Sequence, residues 1–236
     1  MFDALFTTTT EYQKLSHALS GKGACALFGL PASGRAQVYA ALCRQLDKPL
    51  CIVTPGEAEA TRFAADLNTL GIPAAVFPAR DYVLRPIEGT AREYEYRRLA
   101  VLGELVGGRL RAVAVPAEAL TQFTTPKEDF CANTRTLHAG DTLLRDDLLA
   151  ALFGAGYTRR AQVDGPGQFS VRGDIVDIFA PDQKMPVRME FWGDEIDTLH
   201  TFDLTTQRRE DAIDKFYLSP AREVLFGKPA DAAEQL

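Results

Sequence analysis

The chain has 236 residues, with 26 Lys plus Arg against 32 Asp plus Glu and a formal net charge of −6. At 46% hydrophobic and 25% charged it has a globular composition, which excludes a disordered or collagen-like chain and leaves room for one large or two modest domains. No run approaches eighteen apolar residues, and Met1–Thr10 lacks a basic stretch followed by an apolar block, so neither a membrane span nor a secretory signal is expected and the location is read as cytoplasmic. Cys25, Cys43, Cys51 and Cys131 show no paired spacing and the three histidines are scattered, so reduced, partly buried thiols are expected and no metal site.

The first half alternates strand and helix patterns. Gly23–Phe28 is an apolar run entering a Gly/Pro turn, and Gln37–Leu46 carries Val38, Ala41, Leu42 and Leu46 at helical spacing. Leu50–Thr54 reads as a strand, Glu57–Leu70 as a helix ending at Gly71, Ala74–Phe77 as a strand, Ala91–Val106 as a long helix and Ala112–Val115 as a fourth strand. Apolar runs alternating with amphipathic helices predict an α/β domain whose parallel sheet is covered on both faces.

After Pro126 the pattern changes. One helix, Leu143–Leu152, stops at Gly154 and Gly156, and strands with period-two alternation follow at Tyr157–Val163, Phe169–Val171, Ile175–Phe179 and Val187–Trp192. Turns at Gly165-Pro166-Gly167, Gly173, Pro181-Asp182 and Gly193-Asp194 separate them. Val187, Met189 and Phe191 form an apolar face with Arg188 and Glu190 pointing the other way, which predicts a half-buried antiparallel sheet in a separate α+β domain. Phe216–Leu218 reads as a strand, and Asp231–Leu236 as the start of a polar helix in what reads as a fragment of something longer. The expected boundaries are 1–125, 126–211 and a return segment, 212–236.

Charge is uneven, with a net of +1 over residues 1–125 and −6 over 126–211. The acidic segment is a poor candidate for a broad nucleic-acid surface, so any DNA role falls to the first segment or to chain not present here. Seven arginines and no lysine lie between Arg80 and Arg111. Glu93 precedes Arg97 by four residues and Glu95 precedes Arg98 by three, so helix-surface ion pairs account for part of this run and are preferred over phosphate binding.

Gly29-Leu30-Pro31-Ala32-Ser33-Gly34-Arg35-Ala36 has the spacing of a phosphate loop between strand and helix. Arg35 and Ala36 stand where Lys and Ser or Thr are needed, Ala36 offers no oxygen to magnesium, and Pro31 removes one N–H. The expectation is a degenerate loop of Gly29, Gly34, Arg35 and Ala36 that hydrolyses no ATP. Asp194-Glu195-Ile196-Asp197 looks like a helicase acidic box but follows a half-exposed strand and reads as a hairpin turn, and Arg172-Gly173-Asp174 carries no weight as an adhesion tripeptide. Arg159, Arg160 and Arg172 lie on strands beside Tyr157, Phe169 and Phe179. They are read either as a protein–protein contact or as cations neutralised internally by Asp164, Asp174 and Asp177.

Phe77-Pro78-Ala79-Arg80-Asp81-Tyr82, Arg85-Pro86-Ile87-Glu88-Gly89 and Tyr96-Arg97-Arg98-Leu99 resemble the N-terminal, UvrB-like region of bacterial transcription-repair coupling factors. So do Gly156-Tyr157, the run from Gly165 through Val171-Arg172-Gly173-Asp174 to Phe179, and Glu190-Phe191-Trp192-Gly193-Asp194-Glu195-Ile196-Asp197, continuing to Thr206-Gln207-Arg208. The resemblance implies a P-loop-helicase-like domain with a lost phosphate loop, an inserted small α+β domain that docks onto UvrA, and the start of a second helicase-like piece. The segment from Tyr82 to Arg98 is too short for the strand-separating hairpin of UvrB itself. By the same resemblance Arg159 and Arg172 contact UvrA with Arg160 as their neighbour, and Phe169 and Phe179 either supply apolar contact or belong to the core.

The function so implied is a non-catalytic adaptor that recruits UvrA in transcription-coupled nucleotide excision repair. The alternative is a nucleotide-dependent, UvrB-type DNA-unwinding domain. No cofactor is expected in this fragment. ATP with magnesium, RNA polymerase and duplex DNA are expected to engage other parts of the parent protein.

Overall fold

The computed structural model describes residues 7–21, 24–46, 48–80 and 91–223. The polar helix expected at Asp231–Leu236, and Asp81-Tyr82 and Arg85–Gly89 of the resemblance, lie outside the described residues. The molecule is mixed α/β with several sheets, divided into two compact units: Met1–Ala79 with Gly107–Gln122, and Arg80–Val106 with Phe123–Leu236.

In the first unit, strands β1 (Leu50–Thr54), β2 (Ala74–Val76) and β3 (Ala112–Pro116) make a parallel sheet in the order β1-β3-β2. Helix α1 (Thr10–Ser20) precedes it, α2 (Ala32–Gln45) and α3 (Glu57–Thr69) pack near it, and the short α5 (Ala117–Leu120) follows β3; α4 is taken below with the second unit. Central β3 reads Ala-Val-Ala-Val-Pro and is buried throughout, as a strand covered on both faces must be. Ala36, Ala40 and Cys43 of α2 and Ala60, Phe63, Ala64 and Leu67 of α3 complete its core. Asn68 at the end of α3 holds β2 in place, its Oδ1 accepting from the Ala74 N–H at 3.1 Å and its Nδ2 donating to the Ala74 carbonyl at 2.8 Å.

Two expectations are corrected here. Ala24–Phe28 is not a strand, and Leu27 and Phe28 face solvent. Without a ladder partner, a run of apolar residues alone does not make a strand. As a result β1 is an edge strand with Cys51 and Val53 exposed, so the sheet is not covered on both faces along this strand. The thiols are also more open than expected: Cys43 is buried, with its pKa raised by desolvation, while Cys25, Cys51 and Cys131 are exposed.

The second unit is built on a six-stranded sheet, order β10-β9-β8-β7-β6-β5, and a two-stranded ribbon, β11-β4. Its strands are β4 (Arg135–His138), β5 (Thr158–Arg159), β6 (Gln168–Arg172), β7 (Ile175–Phe179), β8 (Val187–Trp192), β9 (Glu195–Phe202), β10 (Arg209–Ala212) and β11 (Lys215–Leu218). Its helices are α4 (Ala91–Val106), α6 (Lys127–Ala132) and α7 (Arg145–Gly154). The sheet is antiparallel except where β5 joins β6 in parallel. Tyr157–Val163 yields only the two residues of β5, because the chain turns away once Arg160 N–H has bonded the Phe169 carbonyl. Leu148 and Leu152 of α7 meet Phe169, Val176, Ile178, Met189, Phe191 and Leu199 on one face of the sheet.

Gly156 has a steric reason. Its φ is +85°, and a Cβ there would lie 2.3 Å from Cγ of Arg222. Gly156→Ala is expected to lower the stability of this unit by about 2 kcal/mol, from the strained dihedral and the overlap together, seen as a lower urea midpoint with an unchanged slope.

Arg98 corrects the reading of α4 as an ion-paired surface helix. Its side chain is fully buried, donating from Nε at 2.8 Å and from Nη2 at 2.7 Å to the carboxylate of Glu223, 125 residues away. Arg80 reaches the same carboxylate at 2.9 Å. The Glu223 N–H donates to Glu95 Oε1 at 2.8 Å, and Thr125 Oγ1 donates to the Glu223 carbonyl. Burial pushes the Glu223 pKa up, but hydrogen bonds from Arg98 and Thr124 and the nearby charges outweigh it and hold the group below its ordinary value. Arg111, also in the arginine run, donates instead to the Cys43 carbonyl at 2.5 Å and to that of Leu46, capping the last turn of α2.

Candidate docking face

Strand alternation sends Val187, Met189 and Phe191 into the α7 core and turns Arg188 and Glu190 to the opposite face. Register aligns Ser170, Asp177, Arg188 and His200 in one row across β6 to β9, and Arg172, Ile175, Glu190 and Thr198 in the next. Asp177 is buried and accepts at 2.7 Å from Arg172 Nη2, at 2.7 Å from Arg188 Nε and at 2.9 Å from Arg188 Nη2. The Arg188 guanidinium sits 4.7 Å from the Phe202 ring centroid and donates from Nη1 to the Gln207 carbonyl at 3.2 Å. Its pKa is raised by the bond to Asp177, against the opposing effect of burial. Glu190 takes an ion pair from Arg209 and a hydrogen bond from Thr198 Oγ1.

Arg172 is held at one corner of its guanidinium and open elsewhere. Its side chain keeps 48% of its accessible surface although Nη2 is bound to a carboxylate that water cannot reach. A guanidinium placed this way is already oriented, so a partner carboxylate meets it at reduced entropic cost. The other two expected cations stand apart from it. Arg159 lies opposite Phe169 on edge strand β5, which places it on the α7 side of the sheet, whereas Arg172 belongs to the Asp177 side. Arg159 and Arg160 are exposed and form no ion pair among the described residues. Of the acids suspected of neutralising them, Asp174 pairs with Arg145 at 3.4 Å, and the Asp164 N–H bonds Gln168.

Of the two readings open for Phe169 and Phe179, contact or core, burial favours core. Phe169 has no exposed surface and stacks edge-on against Phe153 at 5.2 Å, while Phe179 packs with Val163 and Phe202 in a second small cluster on the polar face. Tyr157 is likewise buried, its hydroxyl donating to the Ser219 carbonyl at 2.7 Å. Arg188 is the residue that sequence reasoning undervalued. Its place opposite Asp177 follows from alternation once the register of β7 and β8 is known.

The glycine loop of the first unit departs from a phosphate loop in its geometry. Helix α2 starts at Ala32, so Gly34 is already within its first turn and Arg35 N–H bonds the Pro31 carbonyl at 3.1 Å. Arg35 faces Glu59 at 3.7 Å, and Ala36 is buried against Ala40 and Cys43. Beside Gly29 opens a cavity of about 570 Å³, lined mostly by apolar side chains such as Leu15, Leu27, Phe28, Val38 and Val53, with Arg35 and Tyr39 also on its wall. Magnesium needs oxygen ligands, and the Ala36 side chain offers none. No group of three or more metal-ligating side chains occurs among the described residues, and no helix there is long and apolar enough to cross a membrane.

Residues 136–224, which span this sheet, match the family model of the UvrB interaction domain. Over 84% of its length the chain is 35% identical to the transcription-repair-coupling factor of Myxococcus xanthus, and over 89% it is 36% identical to that of Mycobacterium bovis. The chain is homologous to one segment of the transcription-repair-coupling factors. The Bacillus subtilis factor is 28% identical over 89% of the chain. In each case the chain spans less than a fifth of the relative's length. Arg159, Arg160, Arg172, Asp177 and Arg188 all fall inside the matched UvrB interaction domain.

Proposed function

We propose that this chain is a non-catalytic adaptor module that docks UvrA for transcription-coupled nucleotide excision repair, with its six-stranded sheet as the contact element. The observation that carries the reading is Arg172: a half-exposed guanidinium fixed to a buried carboxylate, within a match to the UvrB interaction domain. In this reading the first unit is a helicase-like fold whose phosphate loop has degenerated, serving as mounting. The docking domain takes in the expected residues 126–211 together with the return strand β11, which pairs with β4. Arg159 and Arg160 extend the contact around the β5 edge. ATP with magnesium, RNA polymerase and duplex DNA belong to other parts of the full-length relatives.

Arg172 meets acidic groups on UvrA, so association is faster at low salt and weakens as salt is added. Arg172→Ala is expected to weaken UvrA binding by about 2 kcal/mol, roughly thirtyfold in Kd, while leaving thermal unfolding nearly unchanged because the pair it breaks is half exposed. Calorimetric titration of UvrA with the wild-type and variant chains measures this. Equal affinities, or no binding by the wild type, sink the proposal.

A further inference from the structure

Trp192 is the only tryptophan in the chain and is 82% exposed. It ends β8, immediately before the two-residue turn Gly193-Asp194. The frame beneath it is braced from both sides. Its neighbour Phe191 is buried in the core, with its N–H on the Asp174 carbonyl at 2.8 Å. On the other side Leu143 N–H bonds the Asp194 carbonyl at 2.7 Å and Thr142 bridges to Glu195. A large aromatic held in water on a rigid turn gives up much hydrated apolar surface, and little freedom, when a partner covers it.

Alternation puts Trp192 on the same face as Glu190, which lies opposite Ile175, itself opposite Arg172. Two strand spacings, roughly 10 Å, separate β6 from β8, well within one contact patch. Leu144 is also exposed at this end, next to Arg145, whose Nη1 donates to the Gly173 carbonyl at 2.8 Å. The cations here are already matched: Arg145 with Asp174, Arg172 with Asp177, Arg209 with Glu190. A patch with its charges paired and an indole at one end complements an apolar recess with a carboxylate at its rim.

We infer that the UvrA-docking surface runs from Arg172 to Trp192, the indole entering an apolar recess of UvrA while Arg172 meets an acid beside it. The inference rests on the reading of this sheet as the UvrA contact and adds the residue that anchors it.

A chain grown with 5-fluorotryptophan carries one fluorine, so its resonance reports on Trp192 without any substitution and without interference from tryptophans of UvrA. On addition of UvrA the resonance is expected to shift. Trp192→Ala is expected to weaken binding at least tenfold, by a factor that stays the same between 0.1 and 0.5 M salt, unlike the loss from Arg172→Ala. Phe123→Ala, which removes an 89% exposed ring outside the patch, is expected to bind as wild type. If Arg172→Ala weakens binding while the fluorine resonance stays put and Trp192→Ala binds normally, the inference fails and the docking reading stands. If the unmodified chain does not bind UvrA, the docking reading itself fails.

Discussion

Arg98→Ala is expected to destabilise the second unit by roughly 3–5 kcal/mol, the usual cost of removing one partner from a buried ion pair. The variant strands the Glu223 carboxylate, which has no solvent exposure and keeps only Arg80 as a cationic partner at 2.9 Å. The loss exceeds that of a surface pair because water cannot replace the guanidinium. Denaturant unfolding followed by circular dichroism is the measurement, and a change below 1 kcal/mol contradicts the buried geometry. The same site sets an acid limit. Glu223 titrates lower in the folded protein than its unfolded value of about 4.3, so its contribution is complete above that pH and is lost as pH falls through the folded pKa. Glu223→Gln removes that part of the acid sensitivity, and its stability plotted against pH is flatter below about pH 4.

Asp177→Asn has the second largest expected effect and acts on both stability and binding. The amide keeps the shape of the carboxylate but not its charge, leaving Arg188 nearly buried without a counterion, at a cost of about 3 kcal/mol. Arg172 loses its tether at the same time, so on the proposed docking reading UvrA affinity is expected to fall as well. The contrast with Arg172→Ala is the informative part. That variant leaves the Asp177–Arg188 pair intact and is expected to bind poorly while unfolding almost normally. Thermal unfolding and UvrA titration of the two variants side by side separate a positioning carboxylate from a contacting cation. Equal stabilities in the two variants contradict the assignment.

Local pattern carried much of the fold. Leu50–Thr54 and Ala112–Val115 are legible as short apolar runs, and Val187–Trp192 as an alternating one. Strand β9 is harder to read, because its buried residues Ile196, Leu199 and Phe202 recur every third position and not every second, with a register shift opposite Glu190 and Phe191. Helix α1 left a fainter trace, with Tyr12 and Leu15 as its buried residues. What pattern cannot supply is partnership over long separations. Ala24–Phe28 has strand composition and no ladder, and Arg98 looked like a surface cation because Glu223 is 125 residues away. In the docking face, the residue type of Arg172 was legible but its tether was only one of two readings. Pattern alone leaves Phe169 and Phe179 open between contact and core, because a core on each face of the sheet is not visible until the loop at Val163 and the end of β9 close over the second one.

The contacts of Glu223 also have a topological meaning. Thr125 and Glu223 are fastened to each other, and the Glu223 carboxylate is fastened to Arg98. These contacts join two points 98 residues apart, and the whole six-stranded sheet lies in the loop between them.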